Sequence, residues 1–511
     1  MAKLPLKTLS SFKHQKIMYS IGYDIGSSSI KAALVEVGTG KPVAVVSEPK
    51  TEMDILAINN GWAEQDPDTW WKHVCTATKT LLSENNIKPE EVTGIGISYQ
   101  MHGLVVVDKD LKPLRDSIIW CDSRAVGIGQ KAFDELGNDR CSENLLNSPS
   151  NFTASKLKWV KENEPETFER IHKFMLPGDY IACRLSGTAN TTLSGLSEGI
   201  FWDFKTNSLA TWLLDYYGLN EAHVPEIVDT FSVQSKVSEQ GAKESGLKVG
   251  TPILYRAGDQ PNNALSLNVF NPGEVAATGG TSGVIYAITD NLSVKESSRV
   301  NNFAHVNYSE ANRFVGKLLC INGAGIQYRW LLNNLSVASY DEMNDLANSV
   351  PQGSDGVKIL PFGNGAERML NNIDLGTNIF GINLNNHTKA HLCRASLEGI
   401  AFSFVYGMEI LRSDGITATK IRAGNDNLFR SEIFSNTIAT LIGREIEIYN
   451  TTGAIGAARA CILRDGDFSS FGEQIMANDY VMSYKPSEEK EALQSAYSAW
   501  KNELEQLLKN K

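Results

Sequence analysis

Hydrophobic positions along the chain gather into short apolar runs divided by turns rich in glycine and hydroxyl residues, with stretches of helical period between them. The first run, Tyr19-Ser-Ile-Gly-Tyr-Asp-Ile-Gly26, alternates and predicts a strand. Ser27-Ser28-Ser29 turns the chain, and Ile30 to Val37 reads as a second strand, which makes a hairpin. Asp66 to Asn85 has helical period and opens on Asp-Pro-Asp, a start signal. Val92 to Ser98 is a buried strand, and Leu104 to Asp108 another. Strands alternating with helices predict an α/β fold.

The second half repeats the opening device. Gly273 to Thr278 is a strand, Gly279-Gly-Thr-Ser-Gly283 a turn and Val284 to Ile288 a second strand. Two such units, one per half, predict two similar domains facing each other. Helices are expected over Lys389–Ser413, from about Phe429 to Leu441 and over Ser487–Lys509, with a strand and Gly turn at Ile421–Asn425. Thr452-Gly-Ala-Ile-Gly-Ala-Ala-Arg-Ala460 is a helix start of small residues, able to approach another backbone closely. Met18 stands just before the first strand, so residues 1–17 are set aside as a flexible extension, leaving domains at 18–264 and 265–511 with the crossing near Asp259–Ser266.

A length of 511 residues suits two large domains, and 42% hydrophobic with 21% charged residues excludes wholesale disorder. The net charge of −11 argues against a nucleic-acid or anionic-membrane partner. Seven cysteines without a CxxC pair speak against a disulfide framework or thiolate zinc site and for a reducing cytoplasm. No run of 18 apolar residues would span a membrane.

A classical P-loop, a GxGxxG at a helix start and an HExxH are all absent. Gly195-Leu-Ser-Glu-Gly199 matches GxSxG, but no strong apolar strand precedes it, so it reads as a chance match rather than a nucleophile elbow. What remains is the pair of turns. Gly26 lets the backbone turn and approach a ligand, and successive N–H groups there can point at phosphate oxygens. Asp24 at the strand end is a candidate Mg²⁺ ligand, or else it caps its own hairpin.

Several motifs in order resemble the FGGY carbohydrate kinases, from Met18 onward. Asp24–Lys31 resembles the family's first phosphate motif, with Gly26, Ser27, Ser28 and Lys31 at the nucleotide. Thr278–Gly283 resembles the second, with Gly280, Thr281 and Ser282. Arg422-Ala-Gly-Asn-Asp-Asn427 resembles the adenosine motif, with Gly424 and Asn425, although the usual triple Gly is missing. Thr452–Ala460 resembles a connecting helix, Arg394–Phe402 the helix before the adenosine motif, and Asn151–Asn163 a signature built on Lys-x-x-Trp. The resemblance implies two actin/hexokinase-like (ribonuclease H-like) ATPase domains around a central cleft, with ATP and Mg²⁺ as cofactors.

In Gly258-Asp259-Gln260 the resemblance makes Asp259 the catalytic base, taking the proton of an attacking sugar hydroxyl. Gln100-Met101-His102-Gly103 resembles the sugar-reading motif typical of the family's xylulokinases, and sedoheptulokinases carry a similar stretch. Trp120-Cys-Asp-Ser-Arg124 resembles the Trp-x-Asp-x-Arg motif, with Asp122 on a hydroxyl pair and Arg124 orienting it. Gln260 stands where Asn is usual and is followed by Pro261, and Ala366 is inserted in the Gly-Glu-Arg loop. The implied activity is ATP-dependent phosphorylation of a ketose, D-xylulose to its 5-phosphate first, with sedoheptulose or ribulose as alternatives. A non-catalytic actin-like sugar sensor is the rival of another class, and a homodimer is left open.

Overall fold

The computed structural model describes residues 17–511 apart from 464–465 and 489, so the expected extension lies, but for Ile17, outside the described residues. The first sheet opens with β1 (Tyr19–Ile25) and β2 (Ile30–Glu36), paired antiparallel around the Gly26–Ser29 turn, and continues with β3 (Pro42–Glu48). Helix α1 (Pro67–Glu84) follows; its Asp66 cap accepts from the Asp68 N–H at 2.9 Å, and Pro67 occupies the first turn. Then come β4 (Val92–Tyr99), the short α2 (Leu193–Glu198), β5 (Phe231–Lys236) and β6 (Pro252–Gly258), giving the sheet order β5-β6-β4-β1-β2-β3.

Helix α3 (Asp259–Ser266) runs through the segment taken as the domain crossing. The second sheet is built from β7 (Glu274–Gly279), β8 (Gly283–Thr289), β9 (Asn301–Ala304) and β10 (Val315–Ile321). The chain then passes through α4 (Gly325–Asn334), α5 (Lys389–Ser413), β11 (Lys420–Gly424), α6 (Glu432–Ile442), β12 (Ile446–Tyr449), α7 (Gly453–Ala460), β13 (Tyr480–Tyr484) and α8 (Glu491–Lys509). Its sheet order is β9-β10-β8-β7-β11-β12-β13.

The two sheets repeat one pattern of directions. From β3 the first runs antiparallel, antiparallel, parallel, parallel, antiparallel; from β10 the second does the same, with β9 added outside. The duplication expected from the two glycine turns is therefore present in the topology. Central strands are buried on both faces, so they read as near-continuous apolar runs.

The halves meet through small residues. A Cβ added to Gly22 on β1 would lie 2.0 Å from the Ala454 carbonyl oxygen, and one on Gly96 of β4 would lie 1.9 Å from that of Ala457. Helix α7 of the second half thus rests directly on the backbone of the first sheet. Its Gly456 packs on Ser266 of α3, where an added Cβ would lie 1.7 Å from the Ser266 Oγ.

Local boundaries depart from the sequence reading where the backbone breaks period. Asn427 at φ +48° precedes a 3₁₀ turn over Asn427–Arg430, so α6 starts at Glu432 rather than near Phe429. The strand expected over Leu104–Asp108 is only Val105–Val107, and α8 starts at Glu491 rather than Ser487.

Gly96→Ala drives a methyl into a main-chain carbonyl that cannot rotate away. It should cost about 1–3 kcal/mol or more and lower Tm by several degrees in scanning calorimetry. Gly127→Ala, in the helix Val126–Leu136 with no atom within 4 Å of the new carbon, is the control and should be neutral or slightly stabilising. Equal melting of the two variants would show that α7 does not hold the halves together through this contact.

Candidate active site

Register alone assembles the first half of the site. β1, β4 and β6 run parallel, with Ile25 opposite Tyr99 and Tyr99 opposite Gly258. The next residues along each strand, the Gly26–Ser29 turn, Gln100–Gly103 and Asp259, therefore emerge at one sheet edge. The second sheet does likewise: Ala277, Ala423 and Ile448 are aligned, so the 280–282 turn, Asn425–Leu428 and the start of α7 share an edge. The two edges face each other. A Cβ on Gly453, the first residue of α7, would sit 2.9 Å from Asp24 Oδ2.

Asp259 opens α3 at the floor of this cleft. Burial, then the like charge of Asp24, pushes its carboxyl up to about 7, and hydrogen bonds from Gln260 only partly offset the rise. Asp24 itself accepts from Ser98 Oγ at 3.0 Å. A second acid lies behind Asp259. Glu198 ends α2 and is 1% exposed, with the Tyr99 hydroxyl beside its carboxyl. A Cβ on Gly258 would be 2.4 Å from its Oε2. Burial first, and Asp259 next, hold Glu198 well above the usual carboxylate range. Glu198 was passed over because its only sequence signal was the GxSxG match. Ser197 of that match accepts from the Ala304 N–H at 2.8 Å and is buried, as no nucleophile would be.

The Gln100–Gly103 segment lies beside Asp259. The Gln100 side chain is 3% exposed and both its polar atoms are unpartnered, the state of an amide waiting for a ligand. Met101 packs into the core, and Gly103 lies against Pro177, where a Cβ would be 2.6 Å from Cγ. His102 adopts φ +62°, rare for a side-chain-bearing residue. Two contacts hold it there. Its Nδ1–H donates to the Glu198 carbonyl at 2.9 Å, and Lys156 Nζ donates to its own carbonyl at 3.0 Å. Burial, and after it Lys156, lowers its pKa to about 3, so the ring is neutral with Nε2 as an acceptor. The Lys of the Lys-x-x-Trp signature thus shapes the His102 backbone. Its own ammonium is so desolvated that its pKa falls to about 7.

Two expected sugar contacts are not brought to the cleft. Asp122 is 0% exposed and its carboxylate is taken by the Ala63 N–H at 2.6 Å and by Arg124 Nη2 at 2.7 Å. Arg124 also pairs with Glu64 and stacks over Trp62 and Trp159 at 3.9 and 4.7 Å. The pair is a buried brace, because every lone pair that could face a sugar is already committed to the protein. Trp120 does stay at the cleft, 52% exposed with Nε1 3.4 Å from Ser27 Oγ on the first glycine turn.

On the second edge a cavity of about 380 Å³ lies between the Gly279–Thr281 turn and the Asn427–Ser431 stretch, within the usual span of ligand pockets. The carbonyls of Gly280 and Thr281 accept from Gly325 and Ile326 at 3.1 and 2.9 Å, which commits the carbonyl side of the turn to α4. Ser282 is exposed beside them. Tyr328 lines the cavity with an unpartnered buried hydroxyl. Gly424 and Asn425 stand two residues short of it: the Asn425 N–H is used by the Tyr449 carbonyl at 2.8 Å, and Asn427 and Leu428 form the wall instead. Lys31, exposed on the first edge, acts electrostatically on Asp426 of the second.

Comparison with known proteins supplies the family. The signature described as "FGGY family of carbohydrate kinases, N-terminal domain" matches residues 19–266, and the C-terminal one matches residues 275–463. The chain belongs to the FGGY family of carbohydrate kinases. It is 28% identical over 458 residues to a xylulose kinase of Haemophilus influenzae, covering 88% of this chain and 91% of the relative. The crystal structure of a xyloylose kinase from Brucella ovis superposes with TM-score 0.86 at 26% identity, covering 96% of this chain and all of that one. A glycerol kinase from Plasmodium falciparum with ADP reaches 0.83 at 19% identity, with 96% and 98% coverage, and shares the fold.

An FGGY kinase must lodge a nucleotide, and the residues present fit one: a glycine-lined turn, an unpaired Tyr328 hydroxyl and an exposed Lys31 across the gap. For a metal, no cluster of three His, Cys, Asp or Glu residues exists among the described residues, and the Asp24 carboxylate is the hard oxygen donor at the first turn. A Cβ on Gly280 would meet only Asn427 Nδ2 and the Ser282 carbonyl oxygen, both at 3.8 Å. Gly280→Val should therefore fold with Tm nearly unchanged yet intrude on the cavity mouth, raising the ATP constant about tenfold or more while sugar affinity holds. Calorimetric titration with ADP checks it; intact nucleotide affinity would remove this turn from the nucleotide site.

Proposed function

We propose that this FGGY kinase transfers the γ-phosphoryl group of ATP to the terminal hydroxyl of a ketose, with D-xylulose as the substrate. The observation that carries the reading is the position of Asp259, emerging at the same edge as the Gly26 turn and the Gln100–His102 segment, in surroundings that make its carboxylate avid for a proton. A poised carboxylate is what deprotonates an attacking hydroxyl during phosphoryl transfer, and a non-catalytic sugar sensor has no use for it. Gln100 and the neutral His102 orient the sugar so that this hydroxyl meets Asp259. Gly26, Ser27, Ser28 and Lys31 from one edge, and Gly280, Thr281 and Ser282 from the other, flank the phosphates. Asp24 would hold Mg²⁺, which when bound neutralises charge on the phosphates. Xylulose is favoured over other ketoses by the Gln100-Met101-His102-Gly103 stretch and by the xylulose kinase of Haemophilus influenzae among the relatives. The fold itself, shared with a glycerol kinase, does not choose the sugar.

A panel of D-xylulose, D-ribulose and sedoheptulose assayed for ADP production tests the substrate, and xylulose should give the highest kcat/KM. A faster ribulose or sedoheptulose would replace xylulose while leaving the kinase intact. Asp259→Asn should lose about 10²–10⁴-fold in kcat with nucleotide binding retained, and a loss below about tenfold would remove Asp259 as the base.

The pH profile follows from the same carboxyl. Asp259 works ionised, and its pKa is raised to about 7. The kcat/KM should therefore be level above about pH 7 and fall about tenfold per unit as pH drops below it. A profile flat down to pH 5 would contradict the buried, Asp24-facing setting of the base.

A further inference from the structure

Glu367 and Arg368 end the Gly-Ala-Glu-Arg stretch whose role the sequence leaves open. Glu367 is fully buried, and its carboxylate accepts the N–H groups of Asn322 and Gly323 at 2.9 and 2.7 Å. Those residues lead into α4, whose first N–H groups hold the 280–281 carbonyls. The loop is thus tied by consecutive hydrogen bonds to the second glycine turn.

The next side chain is left unpaired. Arg368 has no carboxylate partner among the described residues. Its guanidinium makes one long hydrogen bond, Nη2 to the Ser297 carbonyl at 3.4 Å, and its Nε–H is buried without an acceptor. A desolvated guanidinium with unfilled donors is costly unless a ligand fills them. The 3₁₀ turn that it opens, Arg368–Leu370, packs against β10. Arg368 acts electrostatically on both His102 and Cys320, and Cys320 also senses Asp259. Cys320 lies on β10 opposite Val284, just past the glycine turn. Phe303, from the same half of the chain, reaches the His102 ring at 5.1 Å.

The chemistry of the two side chains is complementary. His102 Nε2 makes no hydrogen bond among the described residues and can only accept, because Nδ1 carries the proton. Arg368 can only donate. A hydroxyl next to a carbonyl, as a ketose carries, offers one proton to give and one oxygen without a proton. We propose that Arg368 is a specificity-determining residue which, from the second half of the chain, donates to the carbonyl oxygen of the acceptor ketose while His102 from the first half accepts from a neighbouring hydroxyl. This rests on the ketose reading above.

Arg368→Gln and Arg368→Lys test it, with D-xylulose, D-ribulose, sedoheptulose and xylitol, in which the carbonyl is a hydroxyl, as acceptors. Arg368→Gln should raise the KM of the best ketose about 10- to 100-fold, leave that of ATP within about twofold, and shrink the preference for ketose over xylitol; Arg368→Lys should recover part of the loss. Sugar titration by calorimetry without nucleotide should show the same weakening, and ADP-induced thermal stabilisation should be unchanged if the variants are folded. Equal rises in the ATP and sugar constants, or an unchanged ketose-to-xylitol preference, would overturn the assignment. If the wild type phosphorylates xylitol and none of the ketoses, the ketose reading falls. Arg368 is then judged on xylitol, and a KM that Arg368→Gln leaves unaltered overturns its part in sugar binding as well.

Discussion

The contact between α7 and the bare backbone of β1 and β4 is the constraint on which the rest of the cleft depends. Gly22 and Gly96 lack side chains just where the Ala454 and Ala457 carbonyls arrive, so the helix of one half approaches the sheet of the other at main-chain distance. Close approach fixes the gap between the two sheet edges. It sets Gly453 against Asp24 and brings Asn262 of α3 within 2.9 Å of the Gly453 carbonyl. Had either glycine been alanine, the helix would stand off and the two glycine turns would no longer share one cleft.

Enclosure then decides the electrostatics. Asp259, Asp24 and Glu198 crowd one end of the first sheet with no Lys or Arg paired to any of them among the described residues. Low local polarity raises the cost of each added negative charge, so the acid behind is held well above the usual carboxylate range and the one in front is pushed up to about 7. On the sugar side the same desolvation keeps His102 neutral. Lys156 does double service there: its hydrogen bonds to the His102 and Ile119 carbonyls hold an unfavourable backbone turn, and its charge disfavours a proton on the ring. Gln100, Tyr328 and Arg368 each keep a buried polar atom without a hydrogen-bond partner among the described residues.

The braces around the site explain which motifs serve binding and which serve shape. Asp122, Arg124, Trp62 and Trp159 form one stack, with the Glu64–Arg115 pair beside it. Motif residues of this kind resemble ligand-binding residues in sequence because both are charged and flanked by aromatics. They differ only in which way the carboxylate faces.

Much of the framework was legible in the order of residues. Apolar runs of strand length, the Asp-Pro-Asp helix start and the two glycine turns were each readable, because strand and helix period, capping and turn chemistry act over a few neighbouring positions; Gly258-Asp259-Gln260 stood out only by its resemblance to a family motif. The duplication could be read for the same reason, since each half carries its own turn. The tertiary structure alone decided which charged groups face the cleft. It turned Asp122 and Arg124 inward, set Glu198 behind Asp259, moved the cavity wall from Gly424 and Asn425 to Asn427 and Leu428, and let the Arg368 charge act on His102, 266 residues earlier in the chain. Burial and electric field are sums over atoms brought together from distant parts of the sequence, and no local pattern contains those sums.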